Sequence, residues 1–479
     1  MSGFIKGENR RQATLFPERL DDYITEENSV RVIDVFVDSL KLKKLGFATK
    51  PKHTGRPGYE PALMLKLYVY GYLNRIQSSR RLERESQRNV ELMWLLGRLT
   101  PDFKTIADFR KDNGDAIKQV CCEFVLLCKR LDLLSDVDIA VDGSKFKAQN
   151  NGDRAFSKAK IKRSREKIEK SIGLYLDEIK TADREDTKES RKKKANLKER
   201  LAEVEKEAER LKLLEAELLE TADQQIALTD PDARIMATRA KGSAMVGYNV
   251  QSAVDTKNHL IIAHEVTNVG NDRSALFNMA NHAKQILEVD ELEVLADRGY
   301  YSGQEIKACE DAGIKTYLPK THTSNNRAAG LYDKSDFIYD KETDTYRCPA
   351  DQVLKYRGNY LEGDKKIARY YASYLVCAEC PLKEKCTKGR ERRVSRWEHE
   401  EVLERLDQRM EDKPGQMGVR RSTVEHPFGT IKNWMGHSHF QMITKPKVSI
   451  EMSLHVLCYN LRRVISIMGV EALTTAIEG

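Results

Sequence analysis

The sequence predicts a multidomain α/β protein with an all-α N-terminal region and a mixed-sheet core that is interrupted by insertions. Three observations support this class: helical spacing of apolar residues before about residue 134, strand-like patterns after it, and long charge-rich segments between those strands. The chain has 479 residues, too many for one ordinary hydrophobic core, so two or more domains are expected.

Composition limits the classes of protein that the chain can belong to. The formal net charge is +8 and 33% of the residues are charged, a basic excess that suits a polyanionic partner but is common among proteins. No apolar stretch reaches the roughly 18–20 residues that cross a bilayer, and the N-terminus lacks the apolar stretch of a secretion signal. We therefore expect a cytoplasmic protein without a membrane partner, whose cysteines are thiols or metal ligands rather than disulfides.

The first region, residues 1–134, has the pattern of a small helical bundle. Apolar residues recur at spacings of three and four in 30–40, and Pro61 stands where a second helix is expected to begin. Further helical patterns follow, including a helix–turn–helix-like element. These patterns predict an all-α N-terminal domain.

An arginine stripe lies in this helical region. Arg81, Arg84 and Arg88 are spaced by three and then four residues, which places them on one face of a helix. The stripe is either a solvated face, balanced by neighbouring glutamates, or a surface that contacts the DNA backbone. Both interpretations stay open from the charge pattern alone.

Two carboxylates follow apolar strand patterns. The alternation before Asp142 ends at an Asp-Gly pair, and the apolar run before Asp297 ends at Asp-Arg-Gly. A carboxylate at the carboxyl end of a strand is a common place for chemistry in an α/β domain, although aspartate also favours such positions as a turn residue. We expect Asp142 and Asp297 to work together.

Two segments interrupt the strand order. Residues 153–221 carry two amphipathic helical patterns separated by a polar turn, which predicts an antiparallel helical hairpin. Residues 321–410 predict short antiparallel strands and contain four cysteines: Cys348, Cys377, Cys380 and Cys386. Cys-x-x-Cys with two further cysteines suits a tetrahedral zinc site, while reduced thiols packing a small β region are the alternative.

A helix near the C-terminus carries a third carboxylate. Glu425 and Lys432 are seven residues apart and share a helix face, and Arg421 lies one turn before Glu425. A carboxylate flanked by cations suits a site where metal ions bind the carboxylate and phosphates bind the cations.

The three carboxylate segments resemble the catalytic blocks of bacterial insertion-sequence DDE transposases. The segments are "DGSKFKAQ", "LADRGYYS" and "RRSTVEHPFGTIKNWMG", and the helical first region resembles the N-terminal domain of the same group. The family also has a Tyr–Arg–Glu–Lys signature. Arg421, Glu425 and Lys432 match its last three members, whereas Gly418 stands at the tyrosine position, which puts a tyrosine–phosphate contact there in doubt.

The resemblance implies an RNase H-like mixed-sheet catalytic core in which Asp142, Asp297 and Glu425 bind two Mg²⁺ ions, with Mn²⁺ as a substitute. It also implies that Arg421 and Lys432 contact phosphates, and that the partner is double-stranded DNA, both the terminal repeats of the element and the target. A homodimer or larger assembly on DNA is expected, in the cytoplasm of a bacterium and associated with the nucleoid.

Five regions follow from these patterns together. They are the helical DNA-binding domain (1–134), the catalytic core (135–152 and 222–320), the helical hairpin insertion (153–221), the Cys-containing β insertion (321–410), and the catalytic helix with the closing helices (411–479). The expected function is cleavage of DNA at the ends of the element and joining of 3′ ends to target DNA. The alternatives are an RNase H-like nuclease without strand transfer and a catalytically inactive DNA-binding derivative.

Overall fold

The structure, a computed structural model, describes residues 19–49, 58–135, 137–185, 187–221, 223–238, 243–321 and 326–479. The N-terminal segment, in which no secretion signal is expected, lies outside these residues. The chain forms two compact units. The first comprises Met1–Leu134, Gly143–Asn271 and Val424–Gly479, and the second comprises Ser135–Asp142 and Asp272–Thr423.

Helices and strands are numbered separately along the chain. The helices are α1 (Ser29–Ser39), α2 (Pro61–Leu73), α3 (Ser79–Ser86), α4 (Val90–Leu95), α5 (Phe103–Asp112), α6 (Gly114–Arg130), α7 (Lys158–Glu185), α8 (Lys188–Glu220), α9 (Leu276–Leu287), α10 (Gly303–Asp311), α11 (Tyr374–Ala378), α12 (Lys383–Cys386), α13 (Glu400–Asp412), α14 (Gln416–Gly429), α15 (Lys445–Met468) and α16 (Val470–Glu478). The strands are β1 (Asp138–Lys147), β2 (Ala155–Ser157), β3 (Gln225–Ala227), β4 (Arg234–Ala237), β5 (Ala244–Asp255), β6 (Ile261–Thr267), β7 (Leu292–Leu295), β8 (Ile314–Tyr317), β9 (Ile338–Asp340), β10 (Thr345–Arg347), β11 (Val353–Glu362), β12 (Lys365–Tyr371) and β13 (Arg393–Trp397).

The N-terminal region is helical, as predicted, from α1 to α6. The chain turns between α3 and α4. Asn89 causes the break, because its side chain accepts hydrogen bonds from the backbone N–H groups of Glu91 and Leu92 and so begins α4 as a cap. In the same unit, α15 packs against α2 and α6 and is buried along most of its length.

A mixed sheet confirms the α/β class. Its strand order is β4-β5-β1-β7-β8, and β6 pairs with β5. In the second unit, β7 pairs in parallel with the beginning of β1 and with β8. In the first unit, β5 pairs in antiparallel fashion with β4 and β6.

Two strands differ from their predicted form. β1 continues to Lys147, so Asp142 lies inside the strand and not at its end as the following glycine suggested. In β5, Tyr248 and Val250 alternate with Asn249 and Gln251 in the sequence, yet all four residues are buried. Both faces of this strand are therefore covered, so burial does not alternate along it.

The remaining elements of the first unit include a long helical pair. α7 and α8 pack along each other, and β2 pairs with β3 at their base. A small apolar cluster closes this base: Phe156, Ile161, Leu211, Leu214, Leu218 and Ile226. In the second unit, β9 to β13 form a five-stranded sheet in the order β13-β12-β11-β10-β9. Among the described residues, no helix is both long enough and apolar enough to span a bilayer.

Candidate active site

The register of two parallel strands brings Asp142 and Asp297 together in the second unit. Ala140 of β1 lies opposite Leu295 of β7, and each aspartate is two residues further along its own chain. A parallel register that continues unbroken therefore places the two carboxylates level with each other. The structure therefore brings the two predicted carboxylates close to each other.

One guanidinium contacts both carboxylates. Arg420, on α14, donates from Nη2 to Asp142 Oδ1 at 2.6 Å, and the same nitrogen lies 3.8 Å from Asp297 Oδ2. The Arg420 side chain is only 16% exposed, so this cation is held over the two carboxylates and not in bulk solvent. The carboxylates of Asp142 and Asp297 therefore both lie against the guanidinium of Arg420.

A short turn fixes the Asp297 carboxylate. Asp297 caps the 3₁₀ turn Arg298–Tyr300, and its Oδ1 accepts the Gly299 backbone N–H at 2.7 Å. A Cβ atom at position 299 would lie 2.9 Å from that oxygen, which is closer than real Cβ contacts. The glycine therefore permits the close approach that holds the carboxylate in place.

Two residues at this site were not predicted. Tyr300 is fully buried, and its pKa is raised well above the ordinary value by burial and then by the negative charges of Asp272, Asp142 and Asp297. Its hydroxyl thus stays protonated and can donate a hydrogen bond. Asp272 also lies beside the turn, since its Oδ2 would be 3.8 Å from a Cβ at position 299. In sequence, Asp272 stood in a polar segment before a helix and gave no motif signal.

Glu425 and Arg421 lie on α14. Both side chains are exposed, and Glu425 belongs to the first unit, which resumes at Val424. Arg421 precedes Glu425 by one helical turn, as the spacing predicted. The sequence pattern pointed to Arg421 as the functional arginine and missed the preceding Arg420, because spacing alone does not give the rotation of the helix about its axis.

Lys432 lies in a π-helical turn, Thr430–Trp434, that follows α14 directly. The predicted shared face with Glu425 assumed a continuous α-helix, and the π turn changes the rotation per residue. Lys432 Nζ donates to Ser144 Oγ at 2.7 Å and to the Lys145 carbonyl at 2.8 Å, and it lies 4.4 Å from the centre of the Phe146 ring. Lys432 thus anchors the π turn to the second half of β1.

The arginine stripe is divided by the end of α3. Arg81 and Arg84 are exposed on the helix, whereas Arg88 lies beyond its last residue. Arg88 forms an ion pair with Glu85, and this hydrogen bond is the main cause of the lowered Glu85 pKa. The charge of Arg88 is therefore partly balanced within the protein.

The four cysteines come close together in the second unit. Cys348 follows β10, Cys377 lies in α11, Cys380 follows α11 and Cys386 ends α12. All four line one pocket.

A separate buried group in the first unit consists of His437, Glu451 and His455. Their potential ligand atoms lie within 4.8 Å of one another. The two imidazole rings are stacked, with centroids 3.6 Å apart and planes at 26°, so their in-plane lone pairs do not converge on one point. Burial lowers the pKa of His437 to about 3 and that of His455 well below its ordinary value. The geometry is that of neutral packed rings.

Two family models match the chain. A model described as "Transposase domain (DUF772)" matches residues 18–112, which include α1 to α5. A model described as "Transposase DDE domain" matches residues 347–465, which include Glu425 and Lys432. Together the two matches support an insertion-sequence DDE transposase, in agreement with the resemblance seen in the sequence.

The transposase is also similar to one solved structure. This is a chain of a piggyBac transposase synaptic complex with hairpin DNA, determined by electron cryomicroscopy. The match has 8% sequence identity and a TM-score of 0.31, and it covers 94% of the transposase and 79% of that chain. Such a similarity is too low to support an inference about the fold or the site. Among curated proteins, no match to the transposase was found.

Proposed function

We propose that the transposase binds the ends of its insertion sequence, cleaves phosphodiester bonds there and joins the freed 3′ ends to target DNA. The observation that carries this proposal is the convergence of Asp142 and Asp297 on the Arg420 guanidinium. Two aspartates that lie level on neighbouring parallel strands can present carboxylate oxygens to the same ion, which supports the proposal.

The proposed metal ligands are Asp142, Asp297 and Glu425. Carboxylate oxygens are the ligands that Mg²⁺ prefers, and two carboxylates that already share one cation fit such an ion. Two Mg²⁺ ions bound there, or Mn²⁺ in their place, would activate the attacking oxygen and stabilise the leaving oxygen. Glu425 lies on α14. Its side chain is exposed and can take part in such a site.

In this proposal Arg420 neutralises the carboxylates until metal ions replace it. Arg420→Gln should then bind Mn²⁺ roughly fivefold more tightly, because an ion pair of about 1 kcal/mol no longer competes with the ion. Calorimetric titration of the DNA-free protein with Mn²⁺ measures this affinity independently of cleavage. Arg421→Gln, one position along the same helix, is the matched control and should change the affinity less. Equal or weaker Mn²⁺ binding by Arg420→Gln would place the ions elsewhere.

We propose phosphate contacts for the cations around this site. Arg421 is exposed and can bind a phosphate through two parallel hydrogen bonds, whereas Lys432 acts as a point charge. Because Lys432 is already bound to Ser144 and Lys145, it also fixes the strand segment that follows Asp142 in sequence.

Arg81 and Arg84 are proposed to contact the DNA backbone, with a smaller contribution from the ion-paired Arg88. The double variant Arg81→Ala/Arg84→Ala should weaken binding to all DNA sequences alike and lower the slope of log affinity against log salt by about 2, one for each lost phosphate contact. Fluorescence anisotropy at several salt concentrations gives this slope. The double variant Lys43→Ala/Lys44→Ala removes two exposed charges from the same region and serves as the control. An unchanged slope for the arginine variant would assign the stripe to a solvated face.

The proposed organisation keeps the five regions given by the sequence, with the helical region 1–134 as the DNA-binding domain. We also propose that the protein acts on DNA as a dimer or larger assembly, since two element ends must be brought together. The α7–α8 pair is the proposed contact. Its support is a set of apolar side chains exposed on these two helices: Leu174, Leu176, Leu213 and Leu219.

A strand-transfer assay tests the proposed function as a whole. Purified protein, Mg²⁺, a duplex carrying one element end with a free 3′-hydroxyl and a circular target should give a product in which end and target are covalently joined. Cleavage of uncut element DNA without any joined product would favour the nuclease alternative. Specific binding without cleavage would favour the inactive derivative.

A further inference from the structure

The four cysteines of the second unit surround one small pocket at the edge of the five-stranded sheet. Cys348, Cys377, Cys380 and Cys386 come from three separate chain segments, and all of them line this pocket. All four are free thiols.

The backbone around Cys348 forms a tight turn that points a donor at its sulfur. The Gln352 N–H donates to Cys348 Sγ at 3.4 Å, while the Cys348 N–H donates to the Gln352 carbonyl at 2.9 Å. Asp351 has a positive φ of 61°, a conformation that closes the turn. An N–H group directed at a sulfur stabilises the thiolate form, which is the form that binds metal.

Backbone hydrogen bonds also fix the chain at Cys380 and Cys386. The Lys383 N–H donates to the Cys380 carbonyl at 3.0 Å, so the chain turns back immediately after the Cys-x-x-Cys pair. Arg392, which is only 8% exposed, donates to the Cys386 carbonyl at 2.9 Å. A buried cation beside a cluster of thiols compensates the negative charge that four thiolates would bring.

The protein core beneath this pocket is small. It consists of six buried residues, with Cys348, Cys377 and Cys386 packed against it: Phe337, Tyr346, Leu354, Tyr370, Ala372 and Val394. β9 and β10, which cover this core, have three residues each. Small β regions of this kind usually need a crosslink, either a disulfide or a structural metal, to remain ordered.

We propose that Cys348, Cys377, Cys380 and Cys386 bind one structural zinc ion as thiolates and thereby hold the region from β9 to β13 together. Zinc in structural sites takes four tetrahedral ligands and favours sulfur, and the Cys-x-x-Cys spacing supplies two ligands from one turn. Four thiols lose their protons to solvent and four Zn–S bonds form, with no change in oxidation state.

The sulfur atoms must move inward to bind the ion. Among the described residues, the histidine–glutamate group is the one whose ligand atoms all lie within 4.8 Å, so the thiols are not yet at that separation. Each cysteine sulfur can change position by rotation about χ1 between staggered rotamers. The rings of His437 and His455, by contrast, are stacked, so their lone pairs lie in nearly parallel planes.

The test is the zinc content of the full chain, purified under reducing conditions without affinity metals. Elemental analysis should give one zinc ion per chain. Cys380→Ser should lose most of this zinc, whereas Cys122→Ser, a half-buried thiol on α6, should keep it. Replacement by Co²⁺ should give the visible absorption of tetrahedral thiolate coordination in the wild type and in Cys122→Ser but not in Cys380→Ser.

Hydrogen exchange keeps the proposal testable if a cysteine variant folds poorly. Treatment of the wild-type protein with a strong chelator should increase exchange in β10 to β12 and leave α2 and α15 unchanged. A folded wild-type chain that contains no zinc, or a chelator-treated chain with unchanged exchange, would overturn the proposal. Asp297→Asn should retain its zinc, so failure of this proposal is distinct from failure of the proposed catalysis.

Discussion

Asp297→Asn is expected to slow DNA cleavage by about 10³-fold, while DNA affinity stays within a small factor of the wild type. The asparagine side chain is neutral and offers one weaker oxygen ligand, so it cannot hold a divalent ion as a carboxylate does. Metal ions contribute several kcal/mol of charge stabilisation in the transition state, and each 1.36 kcal/mol corresponds to about a tenfold change in rate. Single-turnover cleavage of labelled DNA from the element ends measures the rate, and anisotropy measures the affinity.

The fold should tolerate this change. Asp297 is partly exposed, and Arg420 keeps its shorter contact with Asp142 when Asp297 is replaced. Asp142→Asn should give a similar loss of rate if the two carboxylates serve one site. Asp290→Asn is the matched control, because this exposed aspartate lies just before β7 in the same unit. Wild-type cleavage by Asp297→Asn would remove this residue from the proposed triad.

Local sequence signals predicted the position of Asp297 well. The apolar run before it forms β7, and the glycine after it forms the turn whose N–H holds the carboxylate. Asp142 was predicted as the partner, but its place inside a long strand was not. The second half of β1 is a strand because it pairs with β5, which lies far along the chain. Such long-range pairing cannot be predicted from a local sequence pattern.

Sequence spacing did not fully predict the positions of the cationic side chains around the site. Spacing placed Arg421 and Lys432 on one face with Glu425, but the helix changes to a π turn at Thr430. The same spacing could not show that Arg420 is the residue that contacts Asp142 and Asp297. Asp272 and Tyr300 join this site through tertiary packing, so neither carried a motif that could have identified it.

Glu451→Ala is expected to lower the free energy of unfolding of the first unit by about 3 kcal/mol. Glu451 is fully buried on α15, and its carboxylate accepts the Gln441 N–H at 3.0 Å and the Met442 N–H at 2.9 Å. Burial raises the pKa of Glu451, while these two backbone donors lower it, so the donors offset part of the cost of placing a carboxylate in the core. Removing the acceptor leaves two N–H groups unpaired, at about 1–3 kcal/mol for each buried donor.

Urea titration followed by circular dichroism measures this loss. Glu451→Gln keeps one oxygen acceptor and should cost about 1 kcal/mol, since one of the two donors stays paired. Glu471→Ala removes an exposed glutamate from α16 and should leave the midpoint unchanged. A wild-type midpoint for Glu451→Ala would show that water satisfies the two donors equally well.

Glu451→Ala should also lower the rate of DNA cleavage. Gln441 and Met442 belong to the segment between α15 and the π turn, and Lys432 of that turn binds Ser144 and Lys145. Releasing this segment therefore loosens the anchor of Lys432 on β1. We expect Glu451→Ala to cleave more slowly even at temperatures where it remains folded, and Glu451→Gln to cleave at an intermediate rate. Cleavage at the wild-type rate by folded Glu451→Ala would show that this anchor does not depend on the buried carboxylate.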